Sequence, residues 1–309
     1  MIEFYHTSTL GWRRLSRRRA QRNAAAASSF ARMDAAASCA LVTCRWTPPK
    51  AMPMIEAIKR GACHLWYWQS PDPLRIQADE ARLQARLALL DPTEAVRYRR
   101  YLVAEAASTF LASRELLRSA LSLYWNVKPA AWRFEVNQWG RPRIANAGVP
   151  EELHFNLSHK PGFVVCLIGY GRELGVDVEN ISISRPHLLN LASRFFSRVE
   201  SEDLRETPEE RRLDRFYEFW TLKESYIKAR GRGLSLGLSR FSFSVAGNSA
   251  GVKFDEGFDD QPDRWDFRLF RYNSHLMAST IELDPARPLA VEVRSASELI
   301  CRTLNLSEQ

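Results

Sequence analysis

The chain has 309 residues, 45% of them hydrophobic, and its 44 Lys and Arg against 36 Asp and Glu give a formal net charge of +8. This composition allows one large core or two modest ones, and no apolar run approaches the roughly twenty residues that cross a bilayer, which argues against a membrane-embedded protein. The excess charge lies in residues 1–60, because residues 61–309 hold 33 cations and 33 anions. A neutral body argues against nucleic acid as a partner, since phosphate binding ordinarily needs a basic surface.

Residues 1–60 form a basic extension rich in Ala and Arg. Its low complexity and few acids predict disorder, because such a segment buries too little apolar surface to offset its conformational entropy. An organellar transit peptide has a similar composition, but Glu3 and Asp34 interrupt the pattern. We favour a translated upstream stretch, with Met52 or Met54 as the functional start.

The next part of the chain alternates strand and helix patterns. Apolar periodicity and turn residues predict the following elements: a strand at 63–68, helices at 79–89, 93–101 and 105–124, and strands at 132–136, 154–156 and 163–168. The motif Phe155-Asn156-Leu157-Ser158-His159 begins in the strand at 154–156 and ends before the strand at 163–168. A lone Ser-His after an apolar run is more often structural than catalytic, so this motif gains meaning only from its neighbours.

A strand at 174–178 carries the second motif, Gly175-Val176-Asp177-Val178-Glu179. Side chains alternate in an extended strand, so Asp177 and Glu179 point the same way while Val176 and Val178 point into the opposite layer. Two carboxylates therefore meet on one face. An exposed polar edge would show the same pattern.

The third motif lies in a helix predicted at 208–229, which Gly231 and Gly233 end. Within it Glu224 and Lys228, spaced i and i+4, share one face with Trp220 a turn earlier. Such a pair is commonly a solvated surface ion pair. Short helices are expected between Pro186 and this helix, and strands close the chain at 240–245, 265–270, 275–281 and 290–293.

Taken together, the three motifs supply three carboxylates, two lysines and a histidine. Oxygen ligands without nearby Cys or paired His favour a hard ion such as Mg²⁺, which keeps several waters and binds substrate phosphates. The combination predicts phosphoryl chemistry, although each motif alone is weak.

The motif series resembles the Sfp-type 4′-phosphopantetheinyl transferases. The resemblance extends from about residue 63 to about 293 and rests on these segments in order: Gly140-Arg141-Pro142, Phe155 to His159, Gly175 to Glu179, Arg194-Phe195-Phe196-Ser197, Trp220 to Lys228 and Gly231-Arg232-Gly233-Leu234. It implies an α/β (α+β) fold of two similar halves, packed as a pseudo-dimer around a shared central cleft. The halves would be residues 61–172 and 173–295, followed by a tail at 296–309.

The resemblance also implies a reaction. The enzyme would transfer the 4′-phosphopantetheine arm of coenzyme A to a serine of an apo acyl or peptidyl carrier protein, and it would release adenosine 3′,5′-bisphosphate. Asp177, Glu179 and Glu224 would hold Mg²⁺ against the pyrophosphate. Glu224 is the preferred general base, with Glu200 as a second candidate. The remaining catalytic charges would come from Lys228 and Lys223.

The nucleotide end has its own predicted contacts. By resemblance the coenzyme A phosphates would be bound by Ser158, His159, Arg141, Arg97, Arg100 and Arg114. Thr109 stands where many relatives carry a basic residue, which leaves one 3′-phosphate contact to Arg114 or Arg100.

Two alternatives belong to other classes. A magnesium-dependent nuclease or phosphohydrolase also uses Asp-x-Glu with a nearby Glu and Lys, but it does not require the Asn156-to-His159 motif or the 220–228 helix. A non-catalytic carrier- or coenzyme-binding module should have lost one of the three acids, and all three are present.

Five scattered cysteines complete the sequence: Cys39, Cys44, Cys63, Cys166 and Cys301. They show no Cys-x-x-Cys pairing and no neighbouring His cluster, so neither a disulfide framework nor a zinc site is expected. A reducing compartment fits, and we expect a cytoplasmic monomer without membrane attachment.

Overall fold

A computed structural model of the chain describes residues 53–71 and 79–304, which belong to one compact unit spanning residues 46–309. The helices of these ranges are α1 (Pro53–Lys59), α2 (Glu80–Leu87), α3 (Pro92–Arg99), α4 (Ala104–Leu121), α5 (Leu188–Phe195), α6 (Arg198–Glu206), α7 (Glu209–Arg230) and α8 (Ser297–Leu304). The strands are β1 (Ala62–Gln69), β2 (Phe134–Val136), β3 (Pro142–Ile144), β4 (Leu153–Lys160), β5 (Phe163–Tyr170), β6 (Leu174–Asn180), β7 (Phe241–Ala246), β8 (Ser249–Phe254), β9 (Trp265–Tyr272), β10 (His275–Glu282) and β11 (Ala290–Ser295).

Two main sheets organise the chain. The first has the strand order β11-β1-β5-β4, and the second has the order β6-β10-β9-β8-β7. Neighbours pair antiparallel, except that β11 pairs parallel with β1, Cys63 standing opposite Val291. The short strands β2 and β3 form a separate hairpin.

Side-chain alternation divides the core into three apolar layers. On β5, Val164 and Cys166 face α4 and its leucines, whereas Val165 and Leu167 face the second sheet. The long helix α7 covers the outer face of the second sheet with the aromatic cluster that includes Phe219 and Tyr226. The secondary-structure layers are therefore helix, sheet, sheet and helix, with one apolar layer between each neighbouring two. Each sheet can pack on both faces because its strands carry apolar side chains on both sides.

The mixed α/β class is confirmed, and most predicted elements appear. The sequence pattern missed β3, β8 and α8, and it ended the strand at 154–156 four residues early, since β4 continues to Lys160. It also placed the disordered extension too far along the chain. Residues 53–59 form α1, in which Ile55 and Ile58 are buried against the first sheet, whereas residues 1–52 lie outside the described ranges.

The division into halves at residue 172 stays a prediction. Each proposed half contains a sheet and a long outer helix, α4 in one and α7 in the other. The strand at 290–295, assigned by sequence to the second half, is an edge strand of the first sheet. Within residues 53–71 and 79–304, no helix is both long and apolar enough to cross a membrane.

Candidate active site

Three elements, β4, β6 and α7, meet where an edge of the first sheet adjoins an edge of the second. The Asn156 side chain on β4 accepts a hydrogen bond from the backbone N–H of Val176 on β6, at 2.9 Å. Helix α7 lies directly over β6 at Gly175, where a Cβ atom would come within 2.1 Å of the Ser225 carbonyl oxygen. A glycine is needed at this position so that helix and strand can approach closely.

The alternation predicted for β6 is present. Val176 and Val178 are fully buried between the two sheets, and Asp177 and Glu179 point to the other side, beneath α7. Both carboxylates are buried as well, Asp177 with 5% and Glu179 with 3% of its surface exposed. The alternative prediction of an exposed polar edge is therefore wrong. Two buried carboxylates also need hydrogen-bond or cationic partners to offset the cost of their burial.

Asp177 forms a closed triangle with Ser158 and Lys228. The Lys228 ammonium donates to Asp177 Oδ1 at 2.7 Å and to Ser158 Oγ at 2.9 Å, and Ser158 Oγ donates to the same Asp177 oxygen at 2.8 Å. Lys228 therefore reaches across to β6 instead of pairing with solvent. The structure brings these three predicted residues together.

Glu179 is paired with cations that the sequence did not single out. The Lys160 ammonium lies 2.9 Å from Glu179 Oε2, and the Arg185 guanidinium lies 3.6 Å from that oxygen. Arg185 is held in place by Tyr217, whose hydroxyl oxygen accepts from Nε at 3.0 Å. Glu179 is thus the most fully neutralised acid of the cluster, and burial in turn raises its pKa.

Glu224 completes the cluster from α7. Burial, reinforced by the negative charges of Asp177 and Glu179, raises the pKa of Glu224 from 4.5 to about 7, although Lys228 and Lys160 oppose the shift. The carboxyl group therefore titrates near neutrality. A group with such a pKa serves well as a general base at physiological pH.

A divalent cation suits this donor set. Asp177 Oδ2 is buried and has no hydrogen-bond partner in the described part of the chain. Three carboxylates also raise one another's affinity for positive charge, as the pKa of Glu224 shows. Across residues 53–71 and 79–304, however, no three His, Cys, Asp or Glu side chains stand in ready-made ligand geometry, and Lys160 and Lys228 are placed among the acids.

Lys223 and Glu200 occupy a different place from the one expected. Lys223 is fully buried and donates to the carbonyl oxygens of Leu238 and Phe241 at 2.7 and 2.6 Å, and its ammonium lies 2.8 Å from Glu200 Oε2. Glu200 also accepts from the Ser197 backbone at 2.9 Å. These contacts join Lys223 and Glu200 to each other and to backbone groups in the core beneath α7. The geometry therefore favours a structural role for both residues over the predicted catalytic one.

Arg141 and His159 flank the cluster. The Arg141 guanidinium donates to the carbonyl oxygens of Ala229 and Leu174 at 2.8 and 3.1 Å, and so ties the β2–β3 hairpin to the end of α7 and to β6. His159 is exposed next to Ser158 on β4. The helix stop at Gly231 is confirmed, with φ of 62° and its N–H on the Ile227 carbonyl.

The upstream arginines form a second group on α3 and α4. The guanidinium groups of Arg97 and Arg114 lie 5.3 and 5.2 Å from the ring centre of Phe110, and Arg114 pairs with Glu94 at 3.4 Å. Arg100 is exposed at the end of α3. Thr109 stands at the position where many relatives carry a basic residue. Its hydroxyl donates a hydrogen bond to the Glu105 carbonyl oxygen within α4.

Lys160 is the site residue that the sequence analysis missed, although a signal was present. It stands two positions after Ser158 on β4, so strand alternation places both side chains on one face. The strand prediction ended at 156 and hid this pairing. Arg185 lies in the loop after β6, where no periodicity applies.

Acids buried beside lysines are the arrangement expected of an enzyme that acts on a phosphate-bearing substrate, since such a site would stabilise charge that moves between phosphate oxygens. Comparisons with known proteins are more specific. The model of the 4′-phosphopantetheinyl transferase superfamily matches residues 173–279, and the model for the N-terminal part of 4′-phosphopantetheinyl transferases matches residues 76–169.

Individual relatives agree. The chain is 36% identical over 174 residues to 4′-phosphopantetheinyl transferase HetI of Nostoc sp., covering 56% of this chain and 70% of that protein. It is 33% identical over 205 residues to 4′-phosphopantetheinyl transferase Sfp of Bacillus subtilis, covering 66% of this chain and 82% of that protein. A phosphopantetheinyl transferase of Thraustochytrium sp. is 28% identical over 243 residues, covering 73% of this chain and 79% of that protein.

The chain belongs to the 4′-phosphopantetheinyl transferase family. It is a transferase that moves phosphopantetheine from coenzyme A to a serine of a carrier protein. Coenzyme A is its substrate, and a carrier protein is its partner. The magnesium-dependent nuclease or phosphohydrolase considered as an alternative finds no support in these comparisons.

Proposed function

We propose that the cluster of Asp177, Glu179, Glu224, Ser158 and Lys228 is the centre at which the phosphopantetheine arm is transferred. One observation carries the proposal: β4, β6 and α7, distant in sequence, converge so that Lys228 bridges Ser158 and Asp177 while Glu224 stays close to both acids of β6. Surface ion pairs do not need such convergence. A preorganised cluster of charges is what the transfer of a phosphate-bearing group requires.

Glu224 is the proposed general base. The carrier serine oxygen forms a bond to the phosphorus nearer the pantetheine, the bond from that phosphorus to the bridging pyrophosphate oxygen breaks, and adenosine 3′,5′-bisphosphate leaves with the bond electrons. The serine proton passes to the Glu224 carboxylate, whose pKa of about 7 in the metal-free protein already leaves part of it unprotonated near neutral pH. Both of its Asp and Glu neighbours favour proton acceptance.

Lys228 is the proposed electrostatic partner of the leaving group. Its ammonium is oriented by Asp177 at 2.7 Å and by Ser158 at 2.9 Å, so no reorganisation is needed to present positive charge at the cluster. Asp177 through Oδ2, Glu179 and Glu224 would hold Mg²⁺, as the resemblance implies. When bound, the ion would offset the negative charge of the pyrophosphate.

The nucleotide would extend from this cluster towards the basic side chains of the neighbouring elements. His159, Arg97 and Arg100, which are all exposed, would contact its phosphates, and Arg114 pairs with Glu94. Arg141 supports the end of α7 in addition to any phosphate contact. Lys223 and Glu200 are left out of the proposed chemistry because they hold the core together.

We also retain, as proposals, the two halves 61–172 and 173–295 with coenzyme A between them, and a cytoplasmic monomer that engages neither nucleic acid nor membrane. The free thiols of Cys63 and Cys166 support a reducing compartment. Size-exclusion chromatography with light scattering would test the oligomeric state.

The central experiment incubates the protein with coenzyme A, Mg²⁺ and a panel of apo acyl and peptidyl carrier proteins. Intact mass should show one phosphopantetheine arm on the carrier serine, with adenosine 3′,5′-bisphosphate released in equal amount. Carrier variants that lack this serine are the control. Release of the bisphosphate at the same rate without a carrier would show a hydrolase and refute the proposal.

A further inference from the structure

Within residues 79–304 the chain crosses twice between the two main sheets. The first crossing, residues 171–173, leads from β5 of the first sheet to β6 of the second. The second crossing, residues 283–289, leads from β10 of the second sheet back to β11 of the first. Because β6 carries Asp177 and begins directly after the first crossing, its position depends on how that crossing is held.

The two crossings hold each other through a reciprocal pair of arginines. Arg172, in the first crossing, donates to the backbone carbonyl oxygens of Glu282, at 2.8 Å, and of Arg287. Arg287, in the second crossing, donates to the carbonyl oxygens of Tyr170 and Gly171, at 3.1 and 3.0 Å. We call this pair, Arg172 and Arg287, the arginine clasp. Each guanidinium group binds the backbone at the opposite crossing.

The clasp has one fully buried arm. Arg172 is 1% exposed, and the hydrogen bonds that its guanidinium donates in the described part of the chain go to backbone carbonyl oxygens. A Cβ atom on Gly61 would lie 3.4 Å from Arg172 Nη2, so the start of β1 packs against this arm as well. Burial of a charge is costly, and an apolar side chain could fill the same space without that cost. A planar fork of donors, by contrast, fixes the distance and angle between two backbone segments, which favours a positioning role.

The candidate active site needs exactly this kind of positioning, because it takes groups from both sheets. Ser158 and Lys160 on β4 of the first sheet contact Asp177 and Glu179 on β6 of the second, at 2.8 and 2.9 Å. Since β4 and β6 belong to different sheets, no strand ladder sets their spacing. The clasp holds the connection that leads into β6 and therefore acts on this spacing.

We propose that the arginine clasp presets the spacing of β4 and β6 and thereby raises the affinity for coenzyme A. The inference rests on the proposed function, in which coenzyme A contacts groups of both sheets. Without the clasp, β4 and β6 are correctly spaced in only a fraction of the molecules, and the apparent affinity falls by that fraction. Bound coenzyme A then holds both strands itself, so turnover at saturation stays near the wild-type rate.

The test compares two half-buried arginines that both donate to backbone carbonyl oxygens. Arg287→Met opens the clasp, whereas Arg212→Met removes contacts to the Leu204 and Thr207 carbonyls, which join the end of α6 to α7 within the second half. Both variants should melt below wild type. Calorimetric titration with coenzyme A in Mg²⁺ should show binding about tenfold weaker in Arg287→Met and unchanged in Arg212→Met. With an apo carrier, Arg287→Met should raise the KM for coenzyme A by a similar factor and keep kcat within about twofold of wild type.

Chemical rescue separates positioning from packing at the buried arm. Arg172→Ala leaves space for a small guanidinium ion, so methylguanidinium in the millimolar range should restore most of the coenzyme A affinity of this variant. Sodium chloride at the same ionic strength should not restore it, and neither salt should distinguish wild type from Arg212→Met. If Arg172→Ala fails to fold, the comparison of Arg287→Met with Arg212→Met decides.

Two results would refute the role of the clasp. Equal coenzyme A affinity in folded Arg287→Met and Arg212→Met would show that the clasp supports stability alone. A lower kcat in Arg287→Met at unchanged coenzyme A affinity would place the defect in the chemical step. A wild-type protein that neither binds coenzyme A nor modifies a carrier would instead refute the proposed function itself.

Discussion

Replacing Glu224 by Gln should stabilise the metal-free protein above neutral pH even though it abolishes transfer. Burial and the charges of Asp177 and Glu179 raise the pKa of Glu224 from 4.5 to about 7 in the folded chain. A carboxyl group with a raised pKa keeps its proton in the folded state at pH values where the unfolded chain has lost it. The stability that it contributes is therefore full below pH 4.5 and is lost as the pH rises to about 7.

At pH 8 the ionised Glu224 side chain then costs about 3 kcal/mol relative to a neutral one. Gln has the same shape without the charge, so the variant should recover this free energy of unfolding. For a protein of this size the gain corresponds to a melting temperature about 6–12 °C higher. At pH 4.5 the two proteins should melt at nearly the same temperature, because Glu224 is protonated in the folded state and still about half protonated in the unfolded state.

The assay is thermal unfolding by calorimetry in the presence of a chelator at pH 4.5, 6 and 8. Glu256→Gln is the matched control, because Glu256 is an exposed turn residue, and its melting temperature should follow wild type at every pH. Addition of Mg²⁺ and coenzyme A should narrow the gap by stabilising wild type more than the variant, which lacks one of the metal ligands. If Glu224→Gln melts no higher than wild type at pH 8, the carboxylates do not share one buried cluster and the reasoning fails.

Further predictions concern the structure around the site. Lys223→Met should lower the free energy of unfolding, measured in urea, by about 3–5 kcal/mol, because it leaves the buried Glu200 without its cationic partner. The rate of transfer per folded molecule should stay at the wild-type value. A strong loss of kcat in folded protein would instead support the catalytic role of Lys223. Gly175→Ala should destabilise the fold by about 3 kcal/mol in the same titration, because its methyl group would collide with the Ser225 backbone; unchanged stability would contradict the close approach of α7. Deletion of residues 1–51 should leave carrier modification intact, and an insoluble product would show that the segment supports the fold.

The acidic strand and the long helix could be predicted because periodicity determines which side chains share a face. Asp177 and Glu179 follow from strand alternation, and Lys228 from helical spacing. The partner of each charge could not be derived this way. Lys228 pairs with Asp177, which lies 51 positions away, and Lys223 points into the core and pairs with Glu200 on the adjacent α6. Both pairings depend on how α7 packs on β6 and its neighbours.

The elements that sequence missed are those whose burial depends on tertiary partners. Helix α1 belongs to a composition-biased stretch, yet Ile55 and Ile58 are buried because the first sheet offers them an apolar surface. Strand β8 alternates exposed with half-buried residues, so its periodicity is weak and pairing with β7 determines its conformation. The hydrophobic periodicity of a short segment does not show which distant elements will pack against it or pair with it.

The parallel pairing of β11 with β1 affects how this protein can be recombined with its relatives. A chimaera joined at residue 172 would replace not only the second sheet but also the outer edge strand of the first, so β1 would receive a foreign neighbour from Ala62 to Tyr67. A mismatched neighbour would leave backbone N–H and C=O groups of β1 open to pairing with other molecules. Module exchange should therefore use two crossovers, at residue 172 and in the loop between β10 and β11, so that residues 290–295 remain native.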